Sequence, residues 1–371
     1  MVWKLKFNPI MNINIILPYK ETYSDKLAGA VSLLIAEVKK RSKFKKKIKI
    51  FGSLNLKKPL TKGYIDCDLS KKPFYYIFGR TSFYLENIKK KLLNKKSIIE
   101  IHNRPQAANF FLNNNNNNNK IILYYHNDPL TLRGSRYIYQ RIYLLKNLDK
   151  LIFVSDWTKR QFFKDLPIKD SEKCLIIYPG STFLKKIPKK KNNIVFAGKL
   201  NKSKGYNIFT NTISEILKKN KSWTCDIVGD DPRRYEKIIH PKIYYHGWLP
   251  YKKTMKIFEK SKIAVIPSTW DEPLGRTAIE AASRGCVSII SKKGWLVETN
   301  SLGLFLNYVT KEELFNKLNK IIKSPSLISF CSKKTLKEFK HSIFKTIKDV
   351  DIIYKKLTWR IIKYYILQIF I

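Results

Sequence analysis

The sequence predicts an α/β protein with two Rossmann-like domains that face a cleft. Short apolar runs alternate with amphipathic helical stretches in both halves of the 371 residues. Some of these runs, such as 263–267 (IAVIP), are apolar throughout, which is typical of parallel strands buried on both faces. Each half is long enough to bury a core of its own.

The charged, proline-bearing segment 185–193 (KKIPKKKNN) is the best linker in the chain. We place the domain boundary there, with an N-terminal domain over 1–188 and a C-terminal domain over 189–345. Helices are predicted after the last strand, over 311–323, about 335–348 and 352–371. The closing stretch 346–371 is aromatic and basic, so it is expected either to cross back to the first domain or to lie in a membrane interface.

Strands of the first half are predicted at 12–18, 47–51, 74–78, 97–102, 121–126 and 150–155. Strands of the second half are predicted at 193–198, 225–229, 243–247, 263–267 and 287–290. Seven consecutive asparagines fill 113–119. Because such a low-complexity tract cannot form a core, it is expected to be an enlarged loop between two strands.

The charge balance is strongly basic, with 73 Lys and Arg against 28 Asp and Glu, a formal net charge of +45. This balance favours an anionic partner, such as nucleic acid, an acidic membrane surface or a phosphorylated substrate. A coding bias toward lysine and asparagine explains it equally well. The five cysteines are scattered and odd in number, which predicts free thiols in a reducing, cytoplasmic compartment.

The richest chemistry lies in 263–298, which reads as strand, loop, helix and strand. Glu272 is in the loop after the first strand, and Glu280 is on the helix that follows. Leu274 and Gly275 open that helix, so their backbone N–H groups form a natural anion site. Since helical side chains lean toward the helix N-terminus, Glu280 can reach the same ligand. Two carboxylates around a diphosphate seat are the layout that a nucleotide-activated sugar needs.

A simpler interpretation of the two carboxylates stays open on the residues alone. Glu280 is one turn from Arg276 and Arg284 and can pair with them as an exposed helix charge. Glu272 then serves only as a loop carboxylate favoured by the helix dipole.

The spelling EPLGRTAIEAASRGC over 272–286, with its glutamates eight residues apart, resembles the signature of family 4 of the retaining glycosyltransferases of GT-B fold. The resemblance covers about 12–310 and is strongest at 194–298. It implies that Glu272 binds sugar hydroxyls near the reacting carbon and that Glu280 binds the ribose. It also implies departure and attack on the same face of the sugar. With cations supplied by the protein, no metal and no cofactor beyond the nucleotide sugar is expected.

A second stretch, GKLNKSKG over 198–205, is similar to the diphosphate-binding loop of that family. The resemblance implies that Lys199 and Lys204 neutralise the two phosphates and stabilise the leaving group. Relatives usually carry arginine at the first of these positions, and the lysine found here keeps the charge without the bidentate fork. Gly198 and Gly205 flank the loop as they do in the family.

Two positions of the first domain also resemble the family. His126, at the carboxyl end of its strand, resembles the histidine that faces the reaction centre and can donate a hydrogen bond there. His102, at the end of the preceding strand, is a rival for that role. Gly29, near the start of the helix predicted over 28–38, resembles the family's glycine-rich loop, which implies that it approaches the donor phosphate or the acceptor. Ala28 replaces the usual second glycine.

These features predict a retaining, metal-independent glycosyltransferase that transfers a sugar to an envelope polysaccharide, a lipopolysaccharide or a glycolipid. We expect it in the cytoplasm, peripheral to the anionic inner face of the cell membrane. A GT-B-shaped enzyme with another task, such as a sugar-nucleotide hydrolase or epimerase, is disfavoured by the EPLG…E spelling. Two further alternatives stay open, and one is a basic nucleic-acid-binding protein, favoured by charge alone. The other is a protein that binds sugar nucleotides without catalysis.

Overall fold

The computed structural model describes residues 11–25, 27–67, 79–92, 96–231, 235–300 and 302–369, with side chains described as far as residue 358. The strand predicted at 74–78 lies outside these ranges. The chain divides into two compact units, residues 1–178 with 345–371 and residues 179–344. Each unit is built on one parallel sheet, so the predicted pair of Rossmann-like sheets is confirmed.

The sheet of the first unit has the strand order β3-β2-β1-β4-β5-β6-β7, with every pairing parallel. Its strands are β1 (Asn12–Ile16), β2 (Ile48–Gly52), β3 (Tyr64–Asp66), β4 (Ser97–His102), β5 (Lys120–Tyr125), β6 (Lys150–Phe153) and β7 (Cys174–Ile176). The chain moves outward from β1 to one edge and then reverses at β4, which is the switch point where such sheets bind ligands. The switch point therefore lies between β1 and β4, and the carboxyl end of β5 lies next to that of β4.

Helices connect these strands. They are α1 (Ala30–Arg41), α2 (Arg80–Lys91), α3 (Pro105–Asn113), α4 (Ile138–Asn147) and α5 (Asp156–Phe163). The asparagine tract begins at the end of α3 and links that helix to β5, so the expected connection between two strands is corrected to one between a helix and a strand. Within it, the Asn119 amide donates to Asn115 Oδ1 at 2.7 Å, and Asn115 Nδ2 donates to the Asn119 carbonyl at 3.0 Å. Side-chain amides thus close a turn that has no apolar residue to bury.

The second unit repeats the architecture with the strand order β10-β9-β8-β11-β12-β13. Its strands are β8 (Lys191–Ala197), β9 (Thr224–Val228), β10 (Ile243–Tyr245), β11 (Ser261–Ile266), β12 (Val287–Ser291) and β13 (Leu304–Leu306). Its helices are α6 (Tyr206–Lys219), α7 (Tyr251–Lys260), α8 (Arg276–Ser283), α9 (Leu296–Thr299), α10 (Lys311–Ile322) and α11 (Pro325–Lys337). Here the switch point lies between β8 and β11, the strands that precede the two predicted phosphate-binding loops.

The single helix predicted over about 335–348 is wrong, because α11 ends at Lys337 and the next helix begins at Ile343. The backbone between them bonds to another segment: the Ser181 amide donates to the His341 carbonyl at 2.9 Å, and the Ile343 amide donates to the Ser181 carbonyl at 3.1 Å. These bonds replace the intrahelical ladder, so the helix cannot run through.

The closing helix, α12 (Ile343–Ile369), starts nine residues before the predicted 352. From Lys345 onward it belongs to the first unit, as expected for a helix that crosses back. Its Tyr354 hydroxyl donates to Glu100 Oε2 of β4 at 2.8 Å. No helix in the described ranges is both long enough and apolar enough to cross a membrane.

All five cysteines are free and buried. Burial raises the pKa of the Cys67 thiol to about 11 and that of the Cys174 thiol to about 12. Since the thiolate is the reactive form, these side chains act as small apolar packing residues.

Candidate active site

The loop after β8 packs against the end of β11 in the second unit. Gly205 has φ +69°, and a Cβ added to it would lie 1.9 Å from the Pro267 carbonyl oxygen, so only glycine fits there. The loops are also bonded directly: the Thr269 amide donates to the Ser203 carbonyl at 3.0 Å, and Thr269 Oγ1 donates to the Lys202 carbonyl at 3.0 Å. The two stretches singled out in the sequence are therefore neighbours.

This packing brings Lys204 and Glu272 together as an ion pair between Nζ and Oε1. Ser268 Oγ donates to the same Oε1 at 2.7 Å. Glu272 is 6% exposed, and such burial is tolerated because the carboxylate has a cation and a hydroxyl for partners. Its second oxygen, Oε2, accepts no bond from any residue that the structure describes, which leaves it able to accept from a ligand hydroxyl.

Two neighbours of this pair were missed by the sequence reasoning, although they lie within four residues of Glu272. One is Ser268, and the other is Trp270, whose ring centroid is 5.1 Å from Lys204 Nζ. Trp270 is 44% exposed. The ammonium group is thus held between a carboxylate and an aromatic face, which fixes its position better than one contact would.

The loop after β12 holds Glu272 from the other side. The Trp295 amide donates to the Glu272 carbonyl at 2.8 Å, and the Gly294 amide donates to Asp271 Oδ1 at 3.0 Å. Three loops from three strands therefore fix the backbone around Glu272.

The N-terminus of α8 adjoins this carboxylate in sequence. Gly275 precedes the helix, and its carbonyl accepts from the Ala278 amide at 3.0 Å. Within the described residues, the amides of Leu274 and Gly275 donate to no acceptor. Unbonded amides at a helix N-terminus are the expected arrangement for an anion site.

Glu280 is buried, with 8% exposure, and Arg276 Nε donates to its Oε1 at 2.6 Å. The simpler interpretation was thus right about the ion pair and wrong about exposure. Arg284 does not join the pair; it bonds Thr182 and lies 3.1 Å from Glu259. Burial raises the pKa of the Glu280 carboxyl, and the Arg276 guanidinium opposes that rise.

Lys199 follows Gly198 in the loop after β8 and is exposed. Across the described part of the chain, its side chain makes no hydrogen bond or ion pair. Of the two predicted lysines, one is therefore fixed by Glu272, and the other extends into solvent.

In the first unit, His126 follows β5 and is 2% exposed. Its Nε2 lies 2.8 Å from Nδ1 of His102, whose own Nε2 lies 2.8 Å from Glu100 Oε1. The rival histidines are thus bonded to each other. The Tyr124 ring stacks on both imidazoles, with centroids 4.9 Å from His102 and 5.3 Å from His126. Glu100 was missed, although its two-residue spacing from His102 on one strand put both on the same face.

Gly29 immediately precedes α1, which begins two residues after the predicted start at 28. A Cβ added to it would lie 2.8 Å from Glu21 Oε1, which also accepts from Ser32 Oγ at 3.0 Å. The Glu21 carboxylate therefore lies where the sequence reasoning expected a donor phosphate or an acceptor.

Part of the chain matches a known protein family, and two similar proteins are known from other organisms. Residues 182–338 match the family described as "Glycosyl transferases group 1". The "Uncharacterized 41.2 kDa protein in cps region" of Klebsiella pneumoniae is 32% identical over 161 residues, which are 43% of this chain and 44% of that protein. The "Putative glycosyltransferase YtcC" of Bacillus subtilis strain 168 is 23% identical over 283 residues, 67% of this chain and 69% of that protein.

A solved structure is similar along most of the chain. Anabaena Alr3699/HepE in complex with UDP-glucose has a TM-score of 0.71 and 13% identity, covering 93% of this chain and 100% of that chain. At this identity the likeness shows the fold, and it covers both sheets. Residues 182–338 thus match the glycosyl transferases group 1 family, and the chain has the GT-B fold.

Proposed function

We propose that the protein is a retaining glycosyltransferase that moves a sugar from a nucleotide diphosphate sugar to a glycan or lipid-linked acceptor. The observation that carries this proposal is the ion pair between Lys204 and Glu272. The loop of Glu272 ends at the unbonded amides at the start of α8. UDP-glucose is the first donor to test, since the structural relative Alr3699/HepE was solved with it.

In this proposal the diphosphate binds to the amides of Leu274 and Gly275, with Lys199 and Lys204 as counter-charges. Preorganised cations and amides stabilise the negative charge that develops on the leaving phosphate. Glu272 Oε2 accepts a sugar hydroxyl, and Glu280 accepts from the ribose.

The transfer step breaks the bond between the anomeric carbon and the phosphate oxygen. It forms a bond from that carbon to the acceptor oxygen on the same face. The acceptor proton passes to the leaving phosphate oxygen, so the step balances without a protein nucleophile. His126 acts in the first unit as a hydrogen-bond donor to the reacting groups.

The overall test is thermal unfolding with UDP, GDP, ADP and UDP-glucose, followed by an assay of donor consumption with envelope extracts. A ligand at 100 times its Kd adds about 2.7 kcal/mol of stability. We expect stabilisation by one nucleotide diphosphate and sugar transfer. Stabilisation without consumption would indicate a sugar-nucleotide-binding protein, and salt-sensitive RNA binding with no stabilisation would indicate a nucleic-acid-binding protein.

We expect Lys204→Ala to weaken binding of the stabilising nucleotide at least about tenfold, because it removes a positioned cation worth roughly 1.5–3 kcal/mol. Lys199→Ala should weaken it less, since that side chain is not held in place. Lys202→Ala is the matched control: this lysine is exposed in the same turn and has no proposed role. Titration calorimetry gives the Kd values, and equal losses in Lys202→Ala and Lys204→Ala would contradict the assignment.

We further propose that the acceptor is an envelope polysaccharide, a lipopolysaccharide or a glycolipid, reached from the cytoplasm at an anionic membrane surface. The name of the Klebsiella relative places that protein in a cps region, which supports a polysaccharide acceptor. The composition of the outer face of α4 supports contact with a membrane surface. Together with Tyr137, the residue before the helix, this face exposes five large side chains, Tyr137, Ile138, Tyr139, Ile142 and Tyr143. Residues 129–148 include Arg133, Arg136 and Lys146 and contain no Asp or Glu, a combination suited to anionic headgroups.

Replacing Tyr139 and Tyr143 with serine should weaken binding to vesicles of phosphatidylglycerol and phosphatidylcholine at least about fivefold, because interfacial tyrosines and basic residues act together. Sedimentation with these vesicles measures the effect, with pure phosphatidylcholine as the uncharged comparison. Tyr308→Ser is the control, since Tyr308 is 76% exposed in the second unit. Unchanged binding of the double variant would remove α4 as the contact surface.

A further inference from the structure

Four buried side chains of the first unit form one continuous hydrogen-bonded chain. Tyr354 OH donates to Glu100 Oε2, Glu100 Oε1 contacts His102 Nε2, and His102 Nδ1 contacts His126 Nε2, each at 2.8 Å. Each residue is no more than 2% exposed. The chain thus connects the closing helix α12 to the predicted catalytic histidine.

The number of protons on these hydrogen-bonded side chains determines whether Nδ1 of His126 donates or accepts a hydrogen bond. If Glu100 is ionised and both imidazoles are neutral, His102 donates through Nε2 and accepts through Nδ1. His126 must then hold its proton on Nε2, so its Nδ1 can only accept. Suppose that Glu100 Oε1, His102 or His126 takes up one additional proton. One proton then lies between His102 Nδ1 and His126 Nε2, and another lies on Nδ1 of His126. That nitrogen becomes an N–H donor.

The surroundings favour the additional proton. Without it, the buried cluster carries an uncompensated carboxylate, which is costly to bury. Two more acidic groups of α12 lie near the tyrosines that contact the cluster: Asp349 interacts electrostatically with Tyr124, and Asp351 with Tyr354. The phenols of Tyr124 and Tyr354 stay protonated, because burial raises their pKa well above its ordinary value.

We propose that Glu100 is a positioning residue that, through His102, keeps one extra proton in the histidine pair and so makes Nδ1 of His126 a hydrogen-bond donor for the transfer reaction. Tyr354 supports the Glu100 carboxylate from α12. The role in transfer rests on the proposed function, whereas the proton count is a property of the protein by itself.

The test is nitrogen-15 NMR of the histidine-labelled full-length protein. The chain has five histidines, few enough to assign by single substitution. In the wild type, Nδ1 of His126 should be protonated at pH 7. In Glu100→Gln, which keeps the shape and removes the charge, the titration midpoint of the pair should fall by at least about one pH unit. In Tyr354→Phe it should rise, because a carboxylate with one donor fewer holds the shared proton more tightly.

The matched control is Asp226→Asn in the second unit, where His246 Nε2 lies 2.5 Å from Asp226 Oδ1. It should move the His246 resonances and leave the buried pair unchanged. An unprotonated His126 Nδ1 at pH 7, or an unchanged midpoint in Glu100→Gln, would overturn the proposal. If Glu100→Gln does not fold, an unchanged midpoint in Tyr354→Phe overturns it equally. Failure of sugar transfer would leave these NMR results standing, so the two proposals can fail separately.

Discussion

Replacing Glu272 with alanine is expected to reduce sugar transfer at least about 100-fold, because removing one preorganised group that stabilises a transition state typically costs that much. The variant loses the oxygen proposed to bind the sugar, and it also releases Lys204 from its fixed position. The kcat for UDP-glucose consumption should fall more than the KM changes, because the interaction is proposed to strengthen in the transition state.

The control for this substitution is Glu312→Ala, which removes an exposed carboxylate from the same unit. Circular dichroism of both variants should match the wild type. Wild-type transfer by Glu272→Ala would mean that the site has been assigned to the wrong residues.

Replacing Gly205 with alanine is expected to lower the free energy of unfolding of the second unit by about 2–5 kcal/mol. A left-handed backbone costs alanine about 1–2 kcal/mol, and overpacking adds about 1–3 kcal/mol. The overpacking arises because the new Cβ would overlap the Pro267 carbonyl oxygen, 1.9 Å away. Nucleotide binding should be lost as well, since this contact holds the Lys204 loop against the Glu272 loop.

Gly247→Ala is the matched control for the overlap. Gly247 has a similar φ of +60°, but a Cβ there would meet no atom within 4 Å. It should therefore cost only about 1–2 kcal/mol. Urea unfolding followed by tryptophan fluorescence measures both variants. Equal losses would show that backbone strain alone matters and that the two loops are not tightly packed.

Local patterns were enough to predict the two sheets and to single out the loops of the candidate site. Apolar runs such as 263–267 gave a strand at β11, and the glycine before Arg276 gave the start of α8 within one residue. These signals lie within a few residues of one another, so they act before any tertiary contact forms. The EPLGRTAIE spelling likewise located Glu272, Leu274, Gly275 and Glu280 on one loop and one helix.

Contacts between distant residues could not be read in the same way. Lys204 and Glu272 are 68 residues apart, and both the sheet order β8-β11 and the fit of Gly205 against Pro267 were needed to pair them. The interruption between α11 and α12 likewise depends on backbone bonds to Ser181, which helical periodicity cannot reveal.

The amino-acid sequence by itself predicted the two parallel sheets, the resemblance to a family and the candidate donor-site residues, because these predictions depend on periodicity and short spacings. The tertiary structure alone decided which charges are buried and paired. It turned two rival histidines into a bonded pair and added Glu100 and Tyr354, 254 residues apart, to the same chain. Burial and hydrogen-bond partners depend on which strands and helices lie side by side, and that is fixed only when the whole unit has folded.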